Sequence, residues 1–172
     1  VQGIDFDVSQ AEQMISSAQQ GETVSVPLNR QDPSIDTATL EAGLFRDVLG
    51  EYTTKVSGTS ARRSNVQLSG EKCDGVILLP GEVFDYNAVV GERTAEAGFQ
   101  AATAYSNGES VLELGGGVCQ TSSTLYCAAL YANLEIVERT NHSYVSSYVP
   151  IGMDATVSWG GTEFKFKNNT DY

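Results

Sequence analysis

The sequence predicts an α+β fold in two parts, and three patterns indicate it. A run from Cys119 to Asn133 has the composition and length of a helix. Four short segments predicted as strands follow this run, and the last of them alternates Phe164 and Phe166 with Lys165 and Lys167, as a strand with one buried face does. Residues 1–50 combine helix and strand patterns. We therefore expect a helix opened by Cys119 to pack on an antiparallel β-meander, after a small α+β N-terminal piece.

The N-terminal piece, residues 1–50, predicts two helices with a strand between them. Ser9 and Glu12 fit a capping box, in which the two side chains satisfy backbone N–H groups at the start of a helix. In order, the pattern predicts a helix from this box to about Gln20, a strand over 22–28, a turn over 32–34 and a helix over 36–49.

A polar segment rich in Ser, Thr and Gly, residues 51–60, marks the expected boundary between domains 1–50 and 51–172. We expect Trp159, Phe164 and Phe166 to lie in the core of the second domain. In order, that domain predicts a helix over 61–74, a strand over 75–79, a turn at Pro80–Gly81, strand and loop over 82–90, one helical turn within 93–101, a hairpin over 102–114 around Asn107–Gly108, a helix over 119–133 and strands over 134–139, 142–149, 154–159 and 163–167.

The acidic composition argues against two classes of partner. The chain has 10 Lys and Arg against 22 Asp and Glu, which gives a net charge of −12. Such a chain repels phosphate groups, so we expect no nucleic-acid partner and no charge-driven binding to an anionic membrane. No apolar run reaches the roughly 18 residues of a membrane span. We interpret the chain, which opens at Val1 without a signal peptide, as a soluble piece of a longer protein.

Cys119 is the strongest candidate for chemistry. Three glycines and a valine precede it, and a predicted helix begins at it. Glycines let the backbone turn sharply and approach a ligand closely. A helix N-terminus stabilises negative charge, so a thiol at this position has a lowered pKa. The pattern therefore predicts a nucleophilic thiolate, with one half of a disulfide as the alternative.

His142 is the candidate base for this thiol, since it is the only histidine of the chain. The predicted helix rises about 21 Å. The strand after it returns about 20 Å if it folds back along the helix. His142 would then lie near the level of Cys119, although a lone histidine is also common as a structural residue.

The group that would orient His142 is less well defined by the sequence. Asp154 is the obvious candidate. However, a tight turn over 150–153 would form a regular hairpin that leaves Asp154 roughly 20 Å along the strand from His142. Asp154 completes a triad only if these strands are irregular. The alternatives are Glu113, Asp85 and Asn141.

The remaining cysteines limit the possible disulfides, and no cofactor site is indicated. Cys119 and Cys127 lie about 12 Å apart along one helix, too far to be bridged. A disulfide would therefore join Cys73 to Cys127 or to Cys119. One histidine and no Cys-x-x-Cys leave too few soft ligands for a zinc site unless carboxylates contribute. The triple glycine lacks the remainder of a phosphate-binding or dinucleotide-binding motif, so we expect neither metal nor cofactor.

Several strings of the second domain together resemble the VanW family closely, over about two thirds of the chain. The most specific is Gly115-Gly116-Gly117-Val118-Cys119-Gln120. The others are Pro80-Gly81-Glu82-Val83-Phe84, Val90-Gly91-Glu92-Arg93-Thr94, Ser123-Thr124-Leu125-Tyr126, His142-Ser143-Tyr144, Ser147-Tyr148-Val149-Pro150, Asp154-Ala155-Thr156-Val157 and Lys167-Asn168-Asn169-Thr170-Asp171-Tyr172.

The resemblance implies a setting and no reaction. VanW-like domains occur in cell-surface proteins, mainly of Gram-positive bacteria, and a founding member lies in a vancomycin-resistance gene cluster. It implies an extracellular, cell-envelope location, a membrane anchor elsewhere in the full-length protein, and peptidoglycan or a cell-wall peptide as partner. Residues 1–50 resemble the end of a peptidoglycan-binding module that often precedes such domains.

The resemblance also bears on the cysteines. Relatives usually carry other residues at the positions of Cys73 and Cys127, whereas they carry Cys at position 119. Two unusual cysteines in one chain are most simply explained as partners, which implies a Cys73–Cys127 disulfide and a free Cys119. An exported location permits such a bond.

Two functions of different classes follow. A helix opened by Cys and followed by strands that bear His is similar to the layout of transglutaminase-like and papain-type enzymes. In this hypothesis Cys119 is the nucleophile and His142 the base in amide hydrolysis or transpeptidation of a peptidoglycan stem peptide. The alternative is a non-catalytic module that binds a cell-wall peptide or glycan, with the Gly115–Cys119 loop as an anion nest for a carboxylate.

The enzyme hypothesis assigns roles to residues around the thiol. The N–H of Cys119 or Gln120 would form part of an oxyanion hole. The remaining candidates are expected to contact substrate: Gly116 and Gly117 in the loop, Tyr144 and Tyr148 along the groove, and Arg93 on a carboxylate. Sheet packing is the alternative for the tyrosines, and a structural ion pair for Arg93.

Overall fold

The computed structural model of the chain describes residues 3–32, 37–106 and 109–171. The chain divides into two compact units, Val1–Asp47 and Val48–Tyr172. Among the described residues, no helix combines the length and the hydropathy that crossing a membrane requires. The candidate residues for chemistry all lie in the second unit.

The first unit contains two helices and a two-stranded antiparallel sheet. In order, its elements are β1 (Gly3–Asp5), α1 (Val8–Ser17), β2 (Asn29–Gln31) and α2 (Thr37–Gly43), with β1 paired to β2. The carboxylate of Asp7 accepts a hydrogen bond from the Gln10 N–H at 3.0 Å. This cap starts α1 before the expected capping box, because Asp7 satisfies the N–H first.

Three expectations for this unit have different outcomes. The strand expected over 22–28 is wrong, because that segment is irregular and the pairing strand is Asn29–Gln31. The second helix ends at Gly43, short of the predicted 36–49. Most of the turn expected over 32–34 lies outside the described residues.

The second unit begins with a helix, a short strand and a second helix, of which the second helix lies where strand and loop were expected. They are α3 (Ser60–Cys73), β3 (Val83–Asp85) and α4 (Tyr86–Val90). Side chains cap both helices: Thr59 accepts from the Arg62 N–H, and Asp85 accepts from the Ala88 N–H. The strand expected over 75–79 is not formed, and the short strand of this region is β3.

A hairpin and the central helix come next. They are β4 (Ala101–Ser106), β5 (Glu109–Leu114) and α5 (Cys119–Tyr131). The hairpin register pairs Ala101 with Leu114. Its expected turn at Asn107–Gly108 lies outside the described residues. Helix α5 begins at Cys119, as the sequence predicted.

The sheet that packs with α5 differs from the predicted meander. It has three antiparallel strands in the order β3–β7–β6, where β6 is Glu135–Glu138 and β7 is Lys165–Lys167. Only the first and last of the four predicted strands after α5 form. The segments 142–149 and 154–159 are irregular, because their polar side chains and turns take up backbone hydrogen bonds that a ladder would need.

Aromatic side chains fill the core of this unit. Phe84 stacks on Phe166 with ring centroids 4.8 Å apart, and Tyr126 meets Phe164 edge-on at 5.9 Å. Phe164 and Phe166 are buried as expected, but Trp159 is 52% exposed, so its assignment to the core is wrong. The mixed α and β content with antiparallel sheets agrees with the predicted class.

Candidate active site

A tight glycine turn places Cys119 at the start of α5. Gly115 and Gly117 have φ values of +79° and +108°, a backbone region that favours glycine. A Cβ on Gly116 would lie 2.3 Å from the carbonyl oxygen of Ala102. The turn is thus pressed against β4, and only glycine permits that approach. The next residues begin the helix, with Cys119 partly buried in its first turn.

Two serines in the first turns of α5 bring a second segment beside Cys119. The Ser122 hydroxyl donates to the Ala155 carbonyl oxygen at 2.7 Å, and the Ala155 N–H donates to the Ser123 hydroxyl at 2.9 Å. These bonds hold the segment against the helix. The Sγ atom of Cys119 lies 3.5 Å from the Val157 carbonyl oxygen and 3.8 Å from the Thr156 hydroxyl.

Asp154 lies at the near end of that segment and binds His142. The Asp154 carboxylate is 2.6 Å from the Nδ1 atom of the His142 ring. Its same oxygen accepts the backbone N–H of His142, also at 2.6 Å. A regular hairpin would separate the two residues by roughly 20 Å. They meet because both strands of the expected hairpin are irregular, which is the condition that the sequence left open.

The alternatives to Asp154 have other positions. Asp85 caps α4 and lies 3.4 Å from Lys165. The Asn141 amide donates to the His142 carbonyl oxygen, away from the ring. Glu113 is exposed on β5. Asp154 is therefore the carboxylate that the fold brings to the imidazole.

The imidazole of His142 lies between Asp154 and Cys119. Its side chain is only 5% exposed. Nδ1 is engaged by Asp154, whereas Nε2 is buried and has no hydrogen-bond partner among the described residues. The imidazole and the Cys119 thiol are close enough that each shifts the pKa of the other. Nε2 is the nitrogen left for the thiol, so the order is Cys119, His142, Asp154.

The electrostatics of the row formed by Cys119, His142 and Asp154 favour a charged pair of thiolate and imidazolium. Burial raises the pKa of the Cys119 thiol, but the neighbouring His142 ring, together with Val157 and Thr156, outweighs burial, so that the pKa lies below its ordinary value. Burial lowers the pKa of His142, yet Cys119 and then Asp154 raise it overall. Burial likewise opposes ionised Asp154, and hydrogen bonds from His142 lower its pKa overall. The arrangement therefore stabilises a thiolate beside an imidazolium.

Two further residues hold this row in place. Arg139 donates through Nε to the Asp154 carbonyl oxygen at 2.7 Å and through Nη2 to the Gly152 carbonyl oxygen at 2.9 Å. Its Nη2 atom also lies 3.4 Å from the Asp154 carboxylate. The Ser146 hydroxyl lies 3.3 Å from Nδ1 of His142. Sequence reasoning missed both, because no local pattern distinguishes them from solvated polar residues.

The two predicted tyrosines lie against the imidazole. The ring of Tyr144 is 5.1 Å from the ring of His142, and that of Tyr148 is 6.5 Å from it in an edge-on arrangement. Tyr144 is exposed and Tyr148 is half-buried. They reach the ring from an irregular loop and not from one face of a strand. Contact with substrate stays a prediction for both.

Gln120 has a structural position and does not point toward the thiol. Its side chain accepts from Arg62 at 2.7 Å and donates to Thr54 at 3.0 Å, which ties the segment before α3 to α5. Its backbone N–H donates to the Gly117 carbonyl oxygen. The N–H of Cys119, by contrast, makes no hydrogen bond to any described residue. Of the two expected oxyanion donors, only Cys119 is available.

The expected ligand contacts of the glycine turn are not supported by its surroundings. A Cβ on Gly117 would meet the side chain of Arg62 at 2.8 Å, and Gly116 faces Ala102. Both glycines are thus packed against protein. The N–H groups of Gly115, Gly116 and Val118 donate to backbone carbonyl oxygens. Three N–H groups of the turn are therefore taken up within the protein, which leaves few donors for the anion nest that the binding-module hypothesis needs.

Arg93 is likewise occupied by the protein. It donates to the Gly91 carbonyl oxygen at 2.8 Å and to the Asn87 side chain at 2.6 Å. Its guanidinium lies 5.6 Å from the ring centre of Tyr86 and 6.0 Å from that of Trp159. Burial lowers its pKa. These contacts describe a structural cation and not a free carboxylate receptor.

All three cysteines are free thiols, so the expected Cys73–Cys127 disulfide is absent. The faces of α5 explain its absence. Thr121, on the face toward α3, hydrogen-bonds Ser69, and Leu125, one turn later, borders a cavity beside Cys73. Cys127 lies about 200° around the helix from Leu125 and donates to the Met153 carbonyl oxygen. Cys73 and Cys127 therefore face opposite sides of α5.

A pocket of about 340 Å³ adjoins the His142–Asp154 pair. The loop between β6 and β7 forms its walls, and Cys119 does not line it. Within the described ranges, no group of three or more His, Cys, Asp or Glu side chains is placed to hold a metal ion. The row of three side chains and this pocket are what the fold assembles for chemistry.

Comparison with known proteins places the chain among related sequences. The family described as "VanW like protein" matches residues 61–172. The YoaR protein of Bacillus subtilis (strain 168), which is described as uncharacterized, is 41% identical over 146 residues, covering 84% of this chain and 48% of YoaR. The vancomycin B-type resistance protein VanW of Enterococcus faecalis (strain ATCC 700802 / V583) is 30% identical over 112 residues, covering 62% of this chain and 41% of that protein. The chain thus spans less than half the length of these relatives, and no solved structure matches it.

Proposed function

The chain belongs to the VanW family, and from its site we propose that it is a cysteine acyltransferase that cleaves or exchanges an amide bond. Cys119 is the nucleophile, His142 the general acid and base, and Asp154 the residue that orients the imidazole. The observation that carries the proposal is the 2.6 Å bond between Asp154 and the Nδ1 atom of His142. It directs the other ring nitrogen toward a thiol whose pKa is lowered by that ring.

The geometry supports a two-step reaction. The Cys119 thiolate attacks the carbonyl carbon of an amide, and the oxyanion accepts a hydrogen bond from the Cys119 N–H. The C–N bond then breaks while the His142 imidazolium gives its proton to the leaving amine. A water molecule or a second amine attacks the resulting thioester, and the neutral imidazole takes its proton. The C–S bond breaks and the thiolate reforms.

The name of one relative supports a setting for the proposed reaction. One relative is named a vancomycin B-type resistance protein. This name supports a role at the bacterial cell wall, outside the cell, with a peptidoglycan stem peptide as the amide substrate. Water as the second reactant makes the protein an amidase, whereas an amine from another peptide makes it a transpeptidase.

A non-catalytic peptide-binding module is the competing function. That hypothesis uses the Gly115–Cys119 turn as an anion nest and treats Cys119 as a packing residue. The internal bonds of the N–H groups of Gly115, Gly116 and Val118 argue against the nest. A packing residue also needs no imidazole beside it, and a buried imidazole without a role would leave Nε2 unsatisfied.

The experiment that tests the proposal is the pH dependence of Cys119 alkylation by iodoacetamide, followed by mass spectrometry. We expect Cys119 to react with an apparent pKa below that of an ordinary thiol. Cys73 and Cys127 are internal controls, because burial raises the pKa of each. The His142→Ala variant should raise the apparent pKa of Cys119.

Activity is measured in parallel as release of amines from synthetic stem peptides, with Cys119→Ala as the inactive variant. A Cys119 thiol that reacts no faster than Cys73 across the pH range would contradict the proposal. So would a His142→Ala variant with an unchanged pH profile, since the imidazole would then have no influence on the thiol.

A further inference from the structure

We propose that the pocket beside His142 and Asp154 binds an uncharged, apolar side chain of the substrate, within two residues of the bond that is cleaved. This inference rests on the proposed function of Cys119. The pocket has a volume of about 340 Å³. That is near the lower limit of small-molecule sites, which begin at about 300 Å³. It therefore fits a single side chain and its backbone better than a sugar chain or a folded partner.

The pocket lies where a substrate bound at the thiol must extend. His142 and Asp154 line it and Cys119 does not, so it opens at the Nδ1 end of the imidazole. The thiol lies at the opposite end of the same ring. An extended peptide advances about 3.3 Å per residue. A peptide whose carbonyl group lies at Sγ can therefore place a side chain beyond the ring, in this pocket.

The exposed surface of the pocket is mainly apolar, although Asn141, Ser143 and Ser146 also line it. Tyr144, Val145, Pro150 and Ile151 contribute to its walls. Ile151 is 84% exposed and Val145 is 68% exposed. Apolar side chains that water covers in the free protein release that water when a ligand covers them, which favours an apolar occupant. Because these side chains lie beside the proposed catalytic row, they can contact an apolar group of a substrate that is bound at Cys119.

The charged groups of the pocket are already paired within the protein. Arg139 donates to the Gly152 carbonyl oxygen and lies against the Asp154 carboxylate. Asp154 in turn binds His142. A charged ligand side chain would lose its hydration without finding an unpaired counter-charge. The pocket therefore disfavours acidic and basic side chains equally.

The test compares four reagents that share one reactive group. Iodoacetamide is the reference, and its N-isobutyl, N-carboxymethyl and N-(2-aminoethyl) derivatives carry an apolar, an anionic and a cationic group. The alkylation rate of Cys119 by each derivative is divided by its rate with a small free thiol and by the iodoacetamide rate. We expect about a tenfold preference for the isobutyl reagent, as an apolar pocket discriminates by such factors. No preference is expected for either charged reagent.

A pair of variants shows whether the preference arises in the pocket. Ile151→Asp places a carboxylate on the pocket wall and should abolish the preference for the isobutyl reagent. Ile77→Asp is the matched control, because Ile77 is 60% exposed and does not line the pocket. It should retain the preference. Since both residues are exposed, both variants should fold.

The outcomes separate this inference from the proposed function. Fast alkylation by iodoacetamide without any preference among derivatives would overturn the pocket's role and leave the catalytic proposal standing. Preference for a charged reagent, or equal loss in both aspartate variants, would also overturn it. Slow alkylation by every reagent would contradict the proposed function itself, and the inference would fail with it.

Discussion

One carboxylate oxygen of Asp154 accepts two hydrogen bonds from His142, one from the ring Nδ1 atom and one from the backbone N–H, each 2.6 Å long. This double contact fixes both the position of residue 142 and the orientation of its ring. It also assigns the tautomer, since a proton on Nδ1 leaves Nε2 to face the thiol. In the proposed function, Asp154 therefore acts on Cys119 through His142, as a positioning group does.

The contribution of Asp154 to stability should depend on pH. Hydrogen bonds from His142 lower its pKa below the ordinary value of 3.8 in spite of burial. The free energy of unfolding gained from this residue is therefore fully present above about pH 3.8 and is lost as the pH falls through the lower folded-state pKa. We expect wild type and Asp154→Asn to differ most near neutral pH and to converge in acid.

Urea unfolding followed by tryptophan fluorescence measures this difference, with Asp74→Asn as the control. Asp74 is exposed at the end of α3. A difference between wild type and Asp154→Asn that does not change down to pH 2 would contradict the expected linkage.

Arg139 should act on the thiol through Asp154. Its side chain is 21% exposed and bonds two backbone carbonyl oxygens near the carboxylate. We expect Arg139→Gln to lower the free energy of unfolding by about 1–3 kcal/mol, because buried acceptors lose a charged donor. It should also move the pH profile of Cys119 alkylation toward that of an ordinary thiol.

The Arg139→Lys variant separates charge from geometry, since lysine keeps the charge but not the two-pronged donor. It should recover part of the pH profile. Loss of stability in Arg139→Gln with an unchanged profile would indicate that Arg139 supports the fold alone.

Gly116 should be intolerant of any side chain. A Cβ there would lie 2.3 Å from the Ala102 carbonyl oxygen and 2.9 Å from that of Thr103. Since both are backbone atoms of a paired strand, they cannot move aside cheaply. We expect Gly116→Ala to cost about 1–3 kcal/mol or more in free energy of unfolding.

Gly70→Ala is the matched control for Gly116→Ala. Gly70 lies inside α3, and a Cβ there meets nothing within 4 Å. It should stabilise the protein by roughly 0.5–1 kcal/mol through helix propensity. Thermal unfolding measures the melting temperatures of the two variants, and we expect that of Gly116→Ala to be the lower. Equal melting temperatures would show that the glycine turn is not packed as described.

The three thiols should remain separate under mild oxidation. Burial raises the pKa of Cys73 to about 11, and burial also raises that of Cys127. The two residues face opposite sides of α5. We expect three reactive thiols after unreduced protein is denatured and treated with a thiol reagent. The sample is treated with diamide and its peptides are analysed by mass spectrometry. A disulfide-linked peptide pair that joins Cys73 to Cys127 would contradict this arrangement.

The candidate site was only partly visible in the sequence. The glycines before Cys119 and the helix after it predicted where this thiol lies, since turn and helix signals act over a few residues. The sequence pattern predicted a regular hairpin from the segments 142–149 and 154–159. That prediction was wrong, because both segments are irregular. Ser122 and Ser123 take backbone partners in the segment around Ala155, which a local pattern cannot reveal because these partners are more than 30 residues away in the chain.

The sequence by itself therefore determined the α+β class and the helix that begins at Cys119. It also identified His142 as the candidate base for the thiol and Asp154 as a candidate to orient the imidazole. These depend on local spacing and on residue chemistry. Only the tertiary structure decided that Asp154 meets His142, that Gln120 and Arg93 serve the fold, and that Cys73 and Cys127 stay apart. Those outcomes depend on which distant groups form hydrogen bonds with each buried polar side chain. These partners come together only when the helices and strands pack.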